Sequence, residues 1–250
     1  MEQSTERARV AYTPVQTRRA FEEVAIQIRA QLMSGALRPG DRLPSERELS
    51  EQFSLSRNTV REALRALEMS GILEFRKGAT GGAFVREGQG DAVVSGFTDL
   101  FRLGVITPQD MTEARMIVGV EVTRLACKRG TDEEFDALEK NILDSEAAVA
   151  AGNQQQRIDI NLHFHVLLAR SAKNPLLAIL VDALVEVQSK MLEVITPIPN
   201  DKVILSRKRL LKQLRARNEE GAVKEMQTHL SALQRHYLAQ DFARGRGAAR

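Results

Sequence analysis

The stretch PSERELSEQFSLSRNTVREALRALEMSGIL, residues 44–73, decides how the rest of the chain is read. Ser45 followed by Glu48 has the spacing of a capping box, in which the serine oxygen accepts a backbone N–H at the helix start while the glutamate reaches back. The pattern predicts a short helix over about 46–52, a turn at FSLS, and a second helix capped by Ser56 that runs to about Ser70-Gly71. In that second helix Val60, Ala63, Leu64 and Leu67 share one side, and Arg57, Arg61 and Arg65 share the other at i, i+4 and i+8. The leucine side is a core face. The arginine side is either a solvated face paired with Glu62 and Glu68 or a surface placed to meet negative charge.

The flanking sequence favours the second reading. Upstream, Phe21, Val24, Ala25, Ile28 and Leu32 recur at helical spacing up to Ser34-Gly35, and LRPGDRLP forms a tight connection. Downstream, ILEFRKGATGGAFVRE alternates on both sides of KGATGG, which predicts a hairpin with Ile72, Leu73 and Phe75 facing Phe84 and Val85. Helix, capped helix, turn, helix and hairpin is the order of a winged helix-turn-helix, here over 18–87. Arginines with Asn58 and Thr59 at the helix tip suit a major groove, since Arg pairs with guanine edges or phosphates and Asn with adenine. Over 56–86 the cationic side chains outnumber the anionic by three, which equals the net charge of +3 of the whole chain. Arg76 and Lys77 lie beside a glycine-rich tip that permits close approach to a phosphate backbone.

Beyond GQGDA at 88–92 the texture becomes helical, with no further strand signal. Helices are expected near 93–103, 108–128, 132–150, 154–172, 175–195, 201–217 and 219–242, separated by turn-rich breaks. The expected plan is mainly α: a flexible arm at 1–17, the winged domain at 18–87, a linker at 88–94, a helical domain at 95–242 and a tail at 243–250. An aromatic content of 4% with no Trp agrees with helix over sheet. Cys127 stands alone, so no internal disulfide is expected and the residue reads as a small buried apolar group. With no apolar leader at the N-terminus and no apolar run of membrane-spanning length, the expectation is a soluble cytoplasmic protein.

Residues 37–85, LRPGDRLPSERELSEQFSLSRNTVREALRALEMSGILEFRKGATGGAFV, closely resemble the DNA-binding domain of the GntR family of bacterial transcription regulators. The resemblance implies a homodimer on a short palindromic double-stranded operator. It places DNA contacts on Arg47, Ser56, Arg57, Asn58, Thr59 and Arg61, and on the wing tip at Lys77, Gly78, Gly81 and Gly82. Arg65, a turn further on, is expected as a backbone contact or a solvated pair.

The second half resembles the all-helical FCD effector domain of the FadR-like branch, through EARMIVGVEVTRLACKRGTDEE, NLHFHVLLARSAKNPLL and LLKQLRARNEEGAVKEMQTHL, which implies that 95–242 is an effector-binding and dimerisation domain. In many such relatives a carboxylate and three histidines hold a divalent metal whose coordination a small organic acid completes. Here Asn161 stands where aspartate is usual and Arg207 where a histidine is usual, while His165 and His229 match. Asn161, His165 and His229 are the candidate ligands for a zinc- or nickel-type ion. Arg207 cannot ligate a metal and would repel one, but it can hold a carboxylate bidentately, so direct capture of an anion is favoured over a metal. Arg115 matches an arginine that often lines the effector cavity in relatives, and the alternative is an exposed pair with Glu113 or Glu121. Asp159 with His163 read as surface residues, and His236 as a surface or dimer-edge residue.

The resulting expectation is a transcriptional repressor, not an enzyme, whose operator affinity is set by a small organic acid or acyl-CoA bound among Arg115, Asn161, His165, Arg207 and His229. The competing readings are a metal-dependent enzyme on the histidine helices and a regulator without a small-molecule effector. No HExxH, nucleophile elbow or phosphate-cradling loop supports the enzyme.

Overall fold

Helix α1 (Arg18–Met33) turns Val24 and Ile28 inward against α3 (Arg57–Met69), which returns Val60, Ala63, Leu64 and Leu67. These residues belong to a computed structural model that describes residues 18–78, 81–86, 90–193 and 195–248. The arm expected at 1–17 lies outside them. Between α1 and α3 sits α2 (Glu46–Phe53), whose capping box forms: Glu48 N donates to Ser45 Oγ at 3.3 Å and Ser45 N donates to Glu48 Oε2 at 2.8 Å. Ser54 ends α2 in a left-handed conformation, φ 54°, and Ser56 caps α3 by accepting from Thr59 N at 3.1 Å. Strands β1 (Leu73–Arg76) and β2 (Gly82–Val85) form the antiparallel wing, pairing Leu73 with Val85 and Arg76 with Gly82. The connection before α2 does more than link: Leu43 N donates to Ala83 O at 2.9 Å and Val85 N to Asp41 O at 2.8 Å, so it adds a third edge to the wing.

The Ser56 cap carries a direct prediction. Ser56→Ala removes the acceptor at the start of α3 and should destabilise the winged unit by about 1 kcal/mol, seen as a lowered urea midpoint with an unchanged slope.

The second compact unit runs from Gly90 to Arg250. Its described residues form α4 (Asp91–Arg102), α5 (Pro108–Arg129), α6 (Asp132–Ala150), α7 (Gln154–Ser171), α8 (Pro175–Leu192), α9 (Asn200–Arg215) and α10 (Glu219–Ala248). Thr107 with Asp110 and Thr131 with Glu134 make capping boxes, and Asn153 and Asn174 cap α7 and α8. Around α7 stand α6, α5 and α8. Accordingly α7 buries Leu162, Phe164, Val166, Leu168 and Ala169, which do not fall on a single stripe. Phe135, Phe164, Leu214 and Met226 are among the large core side chains, and Cys127 is buried with them.

Three boundaries differ from the sequence expectation. The linker placed at 88–94 gives way to helix at Asp91, because Gly90, at φ 65°, makes the turn and Asp91 suits a first helical turn. Helix α8 stops at Leu192, before the proline-containing TPIPN segment. The tail placed at 243–250 is helical to Ala248: no proline interrupts it, and glycine weakens a helix without forbidding it. Among the described residues no helix is long and apolar enough to cross a membrane.

Candidate functional site

On the winged unit, α3 presents Arg57 and Asn58, both exposed and without a hydrogen-bond or ion-pair partner among the described residues. Arg61 is held by Glu46 from the first turn of α2, through Nε at 3.0 and 3.1 Å and Nη2 at 2.7 Å. That pairing lowers the pKa of the Glu46 carboxylate and leaves the Arg61 side chain half exposed. Arg47 is exposed beside Glu51 at 3.5 Å. Arg65 pairs with Glu68 at 2.6 Å and lies over the Phe75 ring.

Thr59, from the expected set of DNA contacts, is buried, and its hydroxyl bonds Ser56 Oγ at 2.8 Å. Ser56 is exposed and caps α3.

At the wing, Lys77 is exposed and Gly78 takes φ 108°, in the left-handed range. A Cβ on Gly81 would lie 2.4 Å from Arg76 O and 2.8 Å from Gly78 O, so only glycine fits there. Sequence reasoning missed two residues that brace this face, Glu46 and Arg42, whose Nη2 donates to Gly81 O at 2.6 Å. Both depend on contacts between elements that no local spacing encodes.

Within the helical unit, a cavity of about 40 Å³ is bounded by Asn161, His165, Gln188, Arg207, His229 and Tyr237. A second, of about 20 Å³, shares His165 as a wall and contains Arg115. Asn161 and His165 come from one face of α7, Arg207 from α9, His229 and Tyr237 from α10, Gln188 from α8 and Arg115 from α5. Arg207 is 3% exposed; it donates through Nη1 to Asn161 Oδ1 at 2.6 Å and through Nη2 to Asn161 O, and its guanidinium lies 4.4 Å from the Phe164 ring centroid. Its Nε is buried without a partner. Arg115 is 6% exposed, which decides against the surface pair with Glu113 or Glu121.

No carboxylate among the described residues forms an ion pair with either arginine, and none lines either cavity. Burial, then the charge of Arg115, pulls the Arg207 pKa down to about 9, so Arg207 remains a cation at neutral pH. Burial, followed by the two arginines, lowers His229 to about 3, and the same causes hold His165 well below its ordinary value. Both rings are therefore neutral, and their centroids lie 5.9 Å apart in a near-stacked arrangement. Tyr237 accepts from Gln188 Nε2 at 3.1 Å, while Gln188 Oε1 is buried without a donor.

The candidate metal set of Asn161, His165 and His229 does not fit a divalent ion. Asn161 Oδ1 already accepts from Arg207 and from Ser145 Oγ at 3.0 Å, and its Nδ2 donates to Asn200. A cation there would meet a guanidinium, with two imidazoles as its remaining donors, short of the four that zinc takes. Among the described residues no group of three His, Cys, Asp or Glu side chains is placed to hold a metal.

The sequence also left Gln188, Tyr237 and Arg157 out of this site. Arg157, buried and lining the larger cavity, precedes Asn161 and His165 at the same four-residue interval, so its spacing carried a signal. The other two stand on helices whose inward face only packing reveals. Asp159 and His163 are exposed, as expected. His236 does not stand free: its Nε2 lies 2.7 Å from Thr196 O and from Gln240 Nε2.

The neutral histidines predict a pH dependence. In the unfolded chain both titrate near 6.5, whereas in the folded chain they stay neutral far below that. Acid thus favours the unfolded state, and stability present above pH 6.5 is lost as pH falls, by up to about 1.4 kcal/mol per pH unit for each ring. Melting temperature should drop from pH 6.5 to 5. His165→Gln with His229→Gln should flatten that slope, and an unchanged slope in the double variant would show the assignment to be wrong.

A winged helix-turn-helix unit followed by a helical unit with a polar internal cavity is the plan of a ligand-responsive DNA-binding regulator. The chain matches bacterial regulatory proteins of the gntR family over residues 20–85 and the FCD domain over residues 110–232. It is 30% identical over 172 residues to an uncharacterized HTH-type transcriptional regulator of Mycobacterium tuberculosis, covering 68% of each chain. It is 29% identical over 162 residues to the Uxu operon transcriptional regulator of Escherichia coli, covering 64% of this chain but 61% of that one. A GntR structure from Streptococcus agalactiae superposes with a TM-score of 0.63 at 25% identity, covering 86% of this chain and 99% of the other. The chain belongs to the GntR family of transcriptional regulators, in its FCD-containing branch. These families and relatives are regulators, not enzymes.

Proposed function

We propose that this regulator binds a palindromic operator as a homodimer in the cytoplasm, and that a small organic acid held directly by buried arginines, without a metal, controls its affinity for that DNA. The observation that carries the reading is the pair Arg115 and Arg207, two buried guanidinium groups with no carboxylate partner among the described residues. A buried charge without a counter-charge is costly, and an anionic ligand supplies the missing charge. Cavities of about 40 and 20 Å³ hold a few water-sized groups, which favours a small acid over an acyl-CoA. Arg57, Asn58, Arg61, Arg47 and the Lys77 to Gly82 tip form the DNA face. Repression relieved by the acid is the working arrangement.

The test is calorimetry of lactate, pyruvate, malonate and succinate into the full chain. Binding of at least one, unaffected by a chelator, supports the reading. Binding of none, or binding abolished by the chelator, sinks it.

A further inference from the structure

The two arginines occupy different compartments. Arg207 lines the larger cavity with Arg157 at its edge and with Asn161, Gln188 and His229, Arg115 lines the smaller, and the His165 ring is the wall common to both. Each guanidinium is more than nine-tenths buried and each has hydrogens to give. Arg207 uses Nη1 and Nη2 on Asn161 and leaves Nε–H without an acceptor, while Arg115 has no hydrogen-bond acceptor among the described residues. The two charges act on each other and on both histidines, so they lie within electrostatic reach of one another. One monocarboxylate neutralises one guanidinium and leaves the other buried and uncompensated.

We infer that the effector is a short dicarboxylate, one carboxylate on Arg207 and the other on Arg115, its chain passing the edge of His165. This rests on the anion-capture reading above and adds the number and placement of the charges. The neutral His165 ring suits that position, since it adds no positive charge to those of Arg115, Arg207 and Arg157. Cavities of about 40 and 20 Å³ take a short diacid such as malonate or succinate and exclude a long-chain one.

The experiment is calorimetry on the full-length protein at constant ionic strength, comparing malonate and succinate with acetate, propionate and inorganic phosphate. The wild type should bind one of the two dicarboxylates at least about tenfold more tightly than any of the other three, because a charged hydrogen bond of about 1.5–3 kcal/mol is gained at the second end. Arg115→Met should remove that preference, so that succinate and propionate bind alike. Equal affinity for propionate and succinate in the wild type would overturn the two-ended site while leaving anion capture standing, and the wild-type comparison needs no variant to fold. Phosphate bound as tightly as succinate would also overturn it, since a compact dianion cannot reach both compartments. Binding by no acid at all would instead defeat the underlying reading of the cavity.

Discussion

Replacing Arg57 and Arg61 together with alanine is expected to lower affinity for the operator at least about 100-fold, because each side chain that pairs with a base edge contributes about 1–3 kcal/mol. The fold should be untouched: both residues are exposed on α3, and alanine is the strongest helix former. The two positions should not behave alike. Arg57 has no hydrogen-bond or ion-pair partner among the described residues, whereas Arg61 must share or release Glu46, which grips it through three hydrogen bonds. Glu46→Gln therefore frees Arg61 and should raise affinity for DNA of any sequence, while Arg57→Ala alone weakens binding. Fluorescence anisotropy on a labelled fragment from upstream of the chain's own gene reads both, at two salt concentrations. A variant that neutralises fewer phosphates also shows a shallower salt dependence, by about one unit of slope for each phosphate. A double alanine variant that binds the operator as tightly and selectively as the wild type would remove α3 from the DNA face.

The second large effect concerns the cavity, where function and stability should move in opposite directions. Arg207→Met is expected to abolish acid binding, a drop of at least about 100-fold given about 3 kcal/mol for a charge-assisted hydrogen bond. Without acid, the same variant should be as stable as the wild type or more stable by about 1–4 kcal/mol, because methionine fills a similar volume without a buried charge. An arginine serving only as a structural brace gives the reverse, reduced stability with ligand binding retained in whatever folds. The hydrogen bonds to Asn161 temper the gain but supply no counter-charge. Chemical denaturation and calorimetry on the same preparation separate the outcomes.

The winged unit was largely legible in the sequence because its signals are local. Ser45 with Glu48, Ser56, and the alternation around KGATGG each act within a few residues, and the helices, turn and hairpin follow from them. What local spacing does not carry is the meeting of separate elements. The third edge of the wing through Asp41 and Leu43, the bracing of Arg61 by Glu46, and the inward turn of Thr59 all arise from packing.

The cavity repeats that lesson at longer range. Asn161, His165, Arg207 and His229 were legible because α7, α9 and α10 carry family motifs, and they do line one space. The depth of Arg115 was not legible, since an arginine beside Glu113 and Glu121 reads equally well as a surface pair until α7, α8 and α10 are packed against α5. The metal expectation meets the contacts of Asn161, whose oxygen, the one that was to ligate, is held by Arg207 and Ser145.

The most direct test of the account couples its two halves. Operator affinity is to be measured at fixed ionic strength with and without a saturating small acid that calorimetry shows to bind, in the wild type and in Arg207→Met. The account predicts a change of at least about fivefold in the wild type, the lower end of ordinary allosteric coupling, and none in the variant. An acid that binds the wild type yet leaves operator affinity unchanged, or shifts it equally in Arg207→Met, would contradict the claim that the buried arginines control DNA binding.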